Sequence, residues 1–205
     1  MLLFSLEVHQ WYDGGKNRSG EMLSEDKQEA LIIVDMSVDF VATDGGLTVG
    51  KAAQDIVPYI RELADVFVAA GMPVVIAMDA HQADDAHFEL WPVHNVIDTP
   101  GQALYGELAE WYAANQASDL VSYYPKENYN AFFQTGLAAD LRQQGIDTVH
   151  VVGVTTDICV FNTVSGADAE GFKTVTHRGG VATFTDLGDT MLAHMTRCFH
   201  TVVVD

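Results

Sequence analysis

Basic residues are scarce in this chain: ten Lys and Arg stand against 29 Asp and Glu, a formal charge of −19. So acidic a protein is repelled by phosphate backbones and anionic headgroups, which excludes nucleic-acid and membrane partners and leaves a small-molecule substrate. Cysteine is scarcer still. Two residues, Cys159 and Cys198, cannot make the framework of a disulfide-stapled secreted fold, and a working thiol suits a reducing cytoplasmic setting. No apolar run approaches the roughly 18 residues of a membrane span. The N-terminal Met1-Leu2-Leu3-Phe4 lacks the basic leader and long apolar core of a signal peptide. Internal repeats and low-complexity tracts are missing too.

What the chain does have is apolar sequence in short bursts. With 205 residues, 48% of them hydrophobic, it can bury a full core as one domain with an N-terminal extension. Residues 1 to 28 carry Asp13-Gly14-Gly15 and scattered charges without periodicity, and read as that extension; the domain runs from 29 to 205. Leu31-Ile32-Ile33-Val34 predicts a buried strand ending at Asp35, and Pro73 to Met78 a second ending at Asp79. Leu120 to Tyr124 is the third, closed by Pro125-Lys126, and Val149 to Val154 the fourth. Lys173 to Thr176 and Thr201 to Val204 complete the set. Helical patterns fall between them, over Ala52 to Ala70, Gly106 to Gln116, Asn130 to Gln144, the segment after Cys159, and Leu187 to Cys198. This alternation predicts an α/β fold of three layers, a six-stranded, mostly parallel sheet with helices on both faces. In such sheets, sites form outside the carboxyl ends of the strands.

The fourth strand delivers the chemistry. Val149-His150-Val151-Val152-Gly153-Val154 breaks at glycine and restarts as Thr155-Thr156-Asp157-Ile158-Cys159. Thr156 and Asp157 are N-cap types, so a helix is expected to begin just before Cys159, its free N–H groups and dipole favouring a thiolate. A cysteine merely packed at a strand–helix junction satisfies the same pattern, so the neighbours must decide. A parallel sheet gathers the ends of strands one to four, and with them Asp35, Asp79, Lys126 and Cys159, at one rim. A carboxylate to take a thiol proton, a cation to favour the thiolate and the thiol itself are the parts of covalent amide hydrolysis.

A second constellation lies in the long irregular segment from 80 to 102, which carries His81, His87 and His94. Asp79 and His81, two apart, share a face in an extended chain. One carboxylate with imidazoles suits a single divalent metal ion, zinc first, with iron and manganese as alternatives; Asp84, Asp85 or Glu89 are substitute ligands. His9, His150, His177, His194 and His200 read as structural.

The order Asp35, Asp79-Ala80-His81, Trp91-Pro92-Val93-His94, Lys126, and Gly153-Val154-Thr155-Thr156-Asp157-Ile158-Cys159-Val160 resembles the isochorismatase-like cysteine hydrolases, and within them the nicotinamidases. The resemblance spans about residues 29 to 205. It implies a catalytic triad of Asp35, Lys126 and Cys159, metal ligands at Asp79, His81, His87 and His94, and hydrolysis of nicotinamide through a cysteine thioester. It further implies a cis peptide at Val154–Thr155 and an oxyanion hole from the Thr155 and Cys159 amides. Substrate would lie among Phe40, Leu47, Trp91 and Tyr129, its pyridine nitrogen on the metal, in a homo-oligomeric enzyme. Asn130 departs from the serine common after that tyrosine, with an expected effect on local hydrogen bonding. Other amidases on the same triad, a silent binding module and a metallohydrolase with a structural Cys159 are the rival readings.

Overall fold

The computed structural model describes residues 28–205. The expected extension therefore lies outside the described residues, apart from Gln28, which opens the first strand. Six strands form: β1 (Gln28–Val34), β2 (Val74–Asp79), β3 (Val121–Lys126), β4 (Ile146–Val154), β5 (Lys173–Ala182) and β6 (Val202–Val204). They line up in the order β3-β2-β1-β4-β5-β6, and every pairing is parallel. The sheet expected to be mostly parallel is wholly so.

Alternation along the strands sorts the core into two layers. Leu31, Ile33, Val74, Ile76 and Val152 face one side, where they meet the short α1 (Val38–Val41), α2 (Lys51–Ala69) and α3 (Glu107–Asn115). Ala30, Ile32, Val34, Val75 and Val151 face the other, against α4 (Leu137–Gln143), α5 (Phe161–Ala169) and α6 (Gly188–Phe199). A strand covered on both faces has no polar side to show, which explains the unbroken apolar runs. On α2, the buried residues Ala53, Ile56, Val57, Ile60, Leu63, Ala64 and Phe67 recur at three and four, one continuous apolar stripe. Burying each large aliphatic or aromatic member of it contributes about 1.5–3 kcal/mol. Gly71, at φ 74°, stops the helix in the left-handed region that glycine enters without strain.

From β1 in the middle of the sheet the chain builds outward through β2 and β3, then returns to lay β4 on the other side of β1. The reversal opens a crevice between the carboxyl ends of β1 and β4, where ligands of open parallel sheets bind. Asp35 follows β1 and the Cys159 turn follows β4.

Three elements differ from the sequence reading. The helix expected over Asn130 to Gln144 is only α4, Leu137–Gln143. Before it, Asn128 and Asn130 side chains accept the backbone N–H groups of Asn130 and Phe132, and Thr135 Oγ1 donates to the Ala131 carbonyl, so turns outcompete helix. Strand β5 runs on to Ala182 instead of stopping at Thr176. Its pairing with β4 breaks after Thr176 and resumes at Val181, and the intervening Gly179-Gly180 lets the Tyr59 ring pack directly on the backbone. Finally, β3 includes Pro125 and Lys126. As an edge strand it tolerates a residue without an N–H.

Candidate active site

Each strand end contributes one group to the crevice. Asp35 leaves β1 at φ 55°, fully buried, its N–H donated to the Ala77 carbonyl at 2.9 Å. Few residues other than glycine accept this backbone conformation, and aspartate is one of them. Its carboxylate then accepts the Asp79 N–H at 2.8 Å and the Lys126 ammonium at 2.7 Å. Lys126 also donates to Asp79, so one buried cation joins the ends of β1, β2 and β3. On the far side of the crevice stands Cys159, also buried. The ligand atoms of Asp35, Asp79 and Cys159 lie within 4.8 Å of one another. The four groups expected on one rim are thus brought together.

Burial sets their protonation. Loss of water pushes Asp35 up to about 6, helped by the Asp79 charge and opposed by the charge and hydrogen bond of Lys126 and by the nearby Cys159 thiol. Burial also raises Asp79, but the Lys126 charge, with the nearby His81 and His94 imidazoles, outweighs it and holds that carboxyl well below its usual range. For Lys126, burial disfavours the ammonium, yet Asp35 and Asp79 overcome this and keep it charged. The Cys159 thiol goes the other way: burial drives it well above its ordinary value despite Lys126. The resting thiolate expected from a helix dipole is corrected accordingly. The local fold explains part of this, since the turn Thr156–Val160 is a π-helical segment, with no side-chain cap, before α5 begins at Phe161. Asp157 does not cap it either. Its two carboxylate oxygens instead accept the hydroxyls of Thr183 and Thr185, both at 2.6 Å.

The Val154–Thr155 peptide is cis, as the resemblance implied. The Thr155 carbonyl accepts the Ile158 and Val160 N–H groups, at 3.2 and 3.1 Å, so the turn folds back around Cys159.

The histidines form the second half of the site. Coordinating atoms of His81, His87 and His94 lie within 4.8 Å of one another, and Asp79 Oδ2 stands 3.7 Å from His81 Nε2 and 3.8 Å from His94 Nε2. His81 Nδ1 is engaged by Asp85 at 2.9 Å and His94 Nδ1 by the Pro92 carbonyl at 2.7 Å. Outer contacts of this kind orient metal-bound imidazoles and turn the other nitrogen inward. His81 Nε2 is buried with no hydrogen-bond partner, which a metal ion would supply. The donor set therefore fits a divalent ion. Asp85, offered by the sequence as a substitute ligand, is instead the partner of His81.

Between the two halves lies a small cavity lined by Phe40, Leu47, Trp91 and Tyr129, together with Cys159, Thr155, His87 and His94. The Trp91 indole N–H donates to the Tyr129 hydroxyl at 3.0 Å. Ile158 and Phe184 also line it and were not singled out from the sequence. Ile158 sits inside the motif, next to the nucleophile. Phe184 would have stood out had β5 been followed to its true end, two residues earlier. Sequence reasoning also passed over Asn95, buried at φ 46°. Its side chain accepts the Ser37 hydroxyl at 2.7 Å, and its backbone joins Asp39 to His81, so it ties the histidine loop to the sheet. Asn130 accepts the Phe132 N–H at 2.8 Å, and its side-chain amide packs on Gly166 of α5, where a Cβ would clash with it.

Fold and site together define a hydrolase, and comparison with known proteins agrees. Residues 29–204 match the isochorismatase domain, and the chain belongs to that family. An uncharacterized isochorismatase family protein, PncA of Bacillus subtilis, is 40% identical over 78% of this chain and 90% of its own length. The crystal structure of nicotinamidase/pyrazinamidase PncA from Bacillus subtilis superposes with a TM-score of 0.84 at 37% identity, covering 87% of this chain and all of that one. Pyrazinamidase of Pyrococcus horikoshii in complex with zinc superposes with a TM-score of 0.77 at 28% identity, over 87% and 99% of the two chains. The protein is an amidohydrolase of this family.

Proposed function

We propose that the protein hydrolyses nicotinamide to nicotinate and ammonia, with Asp35, Lys126 and Cys159 as its catalytic residues. The observation that carries this is a buried Asp35 carboxyl, near 6, whose oxygen lies within 4.8 Å of the sulfur of a buried, protonated thiol, at the edge of an apolar cavity walled by aromatic side chains. At neutral pH such a carboxylate is ionised, and basic enough to take a proton as the sulfur attacks. The zinc-bound and nicotinamidase-named structural neighbours support the same substrate class.

In this reading the Cys159 sulfur adds to the carboxamide carbon while its proton passes to Asp35, and Lys126 compensates the charge arriving on the sulfur. The carbonyl oxygen, now an oxyanion, is received by the Thr155 and Cys159 amides; losing one such donor typically costs about 100 to 1,000-fold in rate. Asp35 returns the proton to nitrogen, the C–N bond breaks, and ammonia leaves a nicotinoyl thioester. Asp35 then takes a proton from water, which attacks the thioester carbon. Nicotinate departs and the thiol is restored.

Asp79, His81, His87 and His94 would hold one divalent ion, zinc first by donor type. When bound, it supplies a Lewis acid able to fix a ring nitrogen and so orient the carboxamide. The residues around it keep the ring dry and upright: Phe40 packs edge-on to His94, with centroids 5.1 Å apart.

The test is ammonia release from nicotinamide, pyrazinamide and an aliphatic amide, with and without chelator. The reading expects turnover of the two aromatic amides, little of the aliphatic one, and loss of activity on chelation. Preference for the aliphatic amide would move the enzyme to another amidase specificity on the same triad.

A further inference from the structure

The cavity has a wall that the catalytic reading does not use. Phe184, in the loop between β5 and α6, lines it from the solvent side with 44% of its surface exposed. Its ring meets Trp91 edge to face, with centroids 6.4 Å apart, so the two aromatics face each other across the entrance. They come from different halves of the site: Trp91 from the histidine loop, Phe184 from beyond the nucleophile strand.

The loop carrying Phe184 is anchored, and the anchor is next to the nucleophile. Asp157, two residues before Cys159, accepts both the Thr183 and the Thr185 hydroxyl at 2.6 Å, on either side of Phe184. Thr183 Oγ1 in turn accepts the Thr185 N–H at 3.3 Å, and Thr185 Oγ1 the Leu187 N–H at 3.1 Å. A charged acceptor bonded to two hydroxyls is a firm attachment. The position of Phe184 is therefore tied to the turn that holds the sulfur.

The enclosed room of the cavity is about 20 Å³, small against the range of about 300–1,000 Å³ for ligand pockets, so its walls close tightly on whatever enters. Resting on the proposed amide hydrolysis, we propose that Phe184, held by Asp157 and closed against Trp91, is the size-determining residue of the pocket, restricting the enzyme to amides of a single aromatic ring. Phe184 touches the substrate's outer edge and excludes a second fused ring, and it takes no part in proton transfer.

The experiment compares kcat/KM for nicotinamide and for quinoline-3-carboxamide, which adds one fused ring to the same carboxamide, in wild type, Phe184→Ala and Asp157→Asn. Wild type is expected to prefer nicotinamide strongly. Phe184→Ala should narrow that preference by roughly 10-fold or more, the scale at which apolar pockets discriminate size, mainly through KM for the larger amide. Asp157→Asn, which weakens the anchor while keeping the ring, should shift the ratio in the same direction by less. An unchanged ratio in Phe184→Ala, or a wild type that accepts both amides equally, overturns the proposal. The same two compounds are titrated into Cys159→Ala with and without Phe184→Ala, read by calorimetry. If wild type turns over neither amide, the proposed reaction fails, while the binding ratio still decides on Phe184: a change supports it and no change overturns it.

Discussion

Lys126 shows how little of a buried charge's role is visible from its own neighbours in sequence. It follows a proline at the end of an edge strand, where a solvated lysine would be ordinary, yet its side chain is wholly buried between Asp35 and Asp79. Lys126→Met keeps the length and removes the cation, leaving two desolvated carboxylates side by side. We expect about 3–5 kcal/mol of destabilisation in urea unfolding, the usual cost of breaking a buried pair, together with loss of amidase activity. Cys159→Ala should behave oppositely: a midpoint within about 1 kcal/mol of wild type, because only a sulfur atom is lost from the packing. The identities of the rim residues were legible in the sequence because Asp35 and Asp79 each end an apolar run, Lys126 closes the third strand and Cys159 follows the turn after the fourth. Their protonation was not. That depends on depth of burial, and burial favours a thiol over the expected thiolate.

At the scale of elements, the register between β1 and β4 decides whether Asp35 and Cys159 meet at all. Gly153 stands opposite Val34 with φ 115°, and a Cβ there would lie 2.0 Å from the Val34 carbonyl oxygen. Gly153→Ala is expected to cost about 2 kcal/mol or more, since strained backbone and a clash with rigid main chain add. It should also lower activity in whatever fraction remains folded; wild-type stability by thermal unfolding would contradict this. The central strands were legible because a strand buried on both sides needs only apolar residues. The segment before α4 was not, because Asn128, Asn130 and Thr135 satisfy backbone groups locally in a way no periodicity reveals. Likewise Gly179-Gly180 reads as a strand end, and only the packing of Tyr59 on it shows why β5 continues. That misreading hid Phe184.

For the whole molecule, stability is expected to depend on pH and on an ion taken up by the histidine loop. Across the α2 face of the sheet runs a buried chain of hydrogen bonds, from Tyr59 on α2 to His177 on β5 at 2.8 Å, to His150 on β4 at 2.9 Å, to Glu29 on β1 at 3.0 Å. Burial, and then the neighbouring His150, push His177 down to about 3. The unfolded chain therefore takes up this proton first. Its contribution is complete above about pH 6.5 and fades as pH falls toward 3, at roughly 1.4 kcal/mol per pH unit. His177→Gln should flatten the urea-midpoint profile in that window, and an equally steep profile would exclude His177 as the cause. Metal acts by mass action: zinc added to chelator-treated protein should raise the melting temperature, saturating at one ion per chain, with about 2.7 kcal/mol gained at 100 times the dissociation constant. His81→Ala should abolish that rise. The central claim is that Cys159, served by Asp35, hydrolyses an aromatic amide, and its most direct test is ammonia release from nicotinamide by the purified enzyme beside Cys159→Ala. The account predicts steady turnover by the wild type and none above background in a folded Cys159→Ala. Comparable ammonia release from both proteins would contradict it.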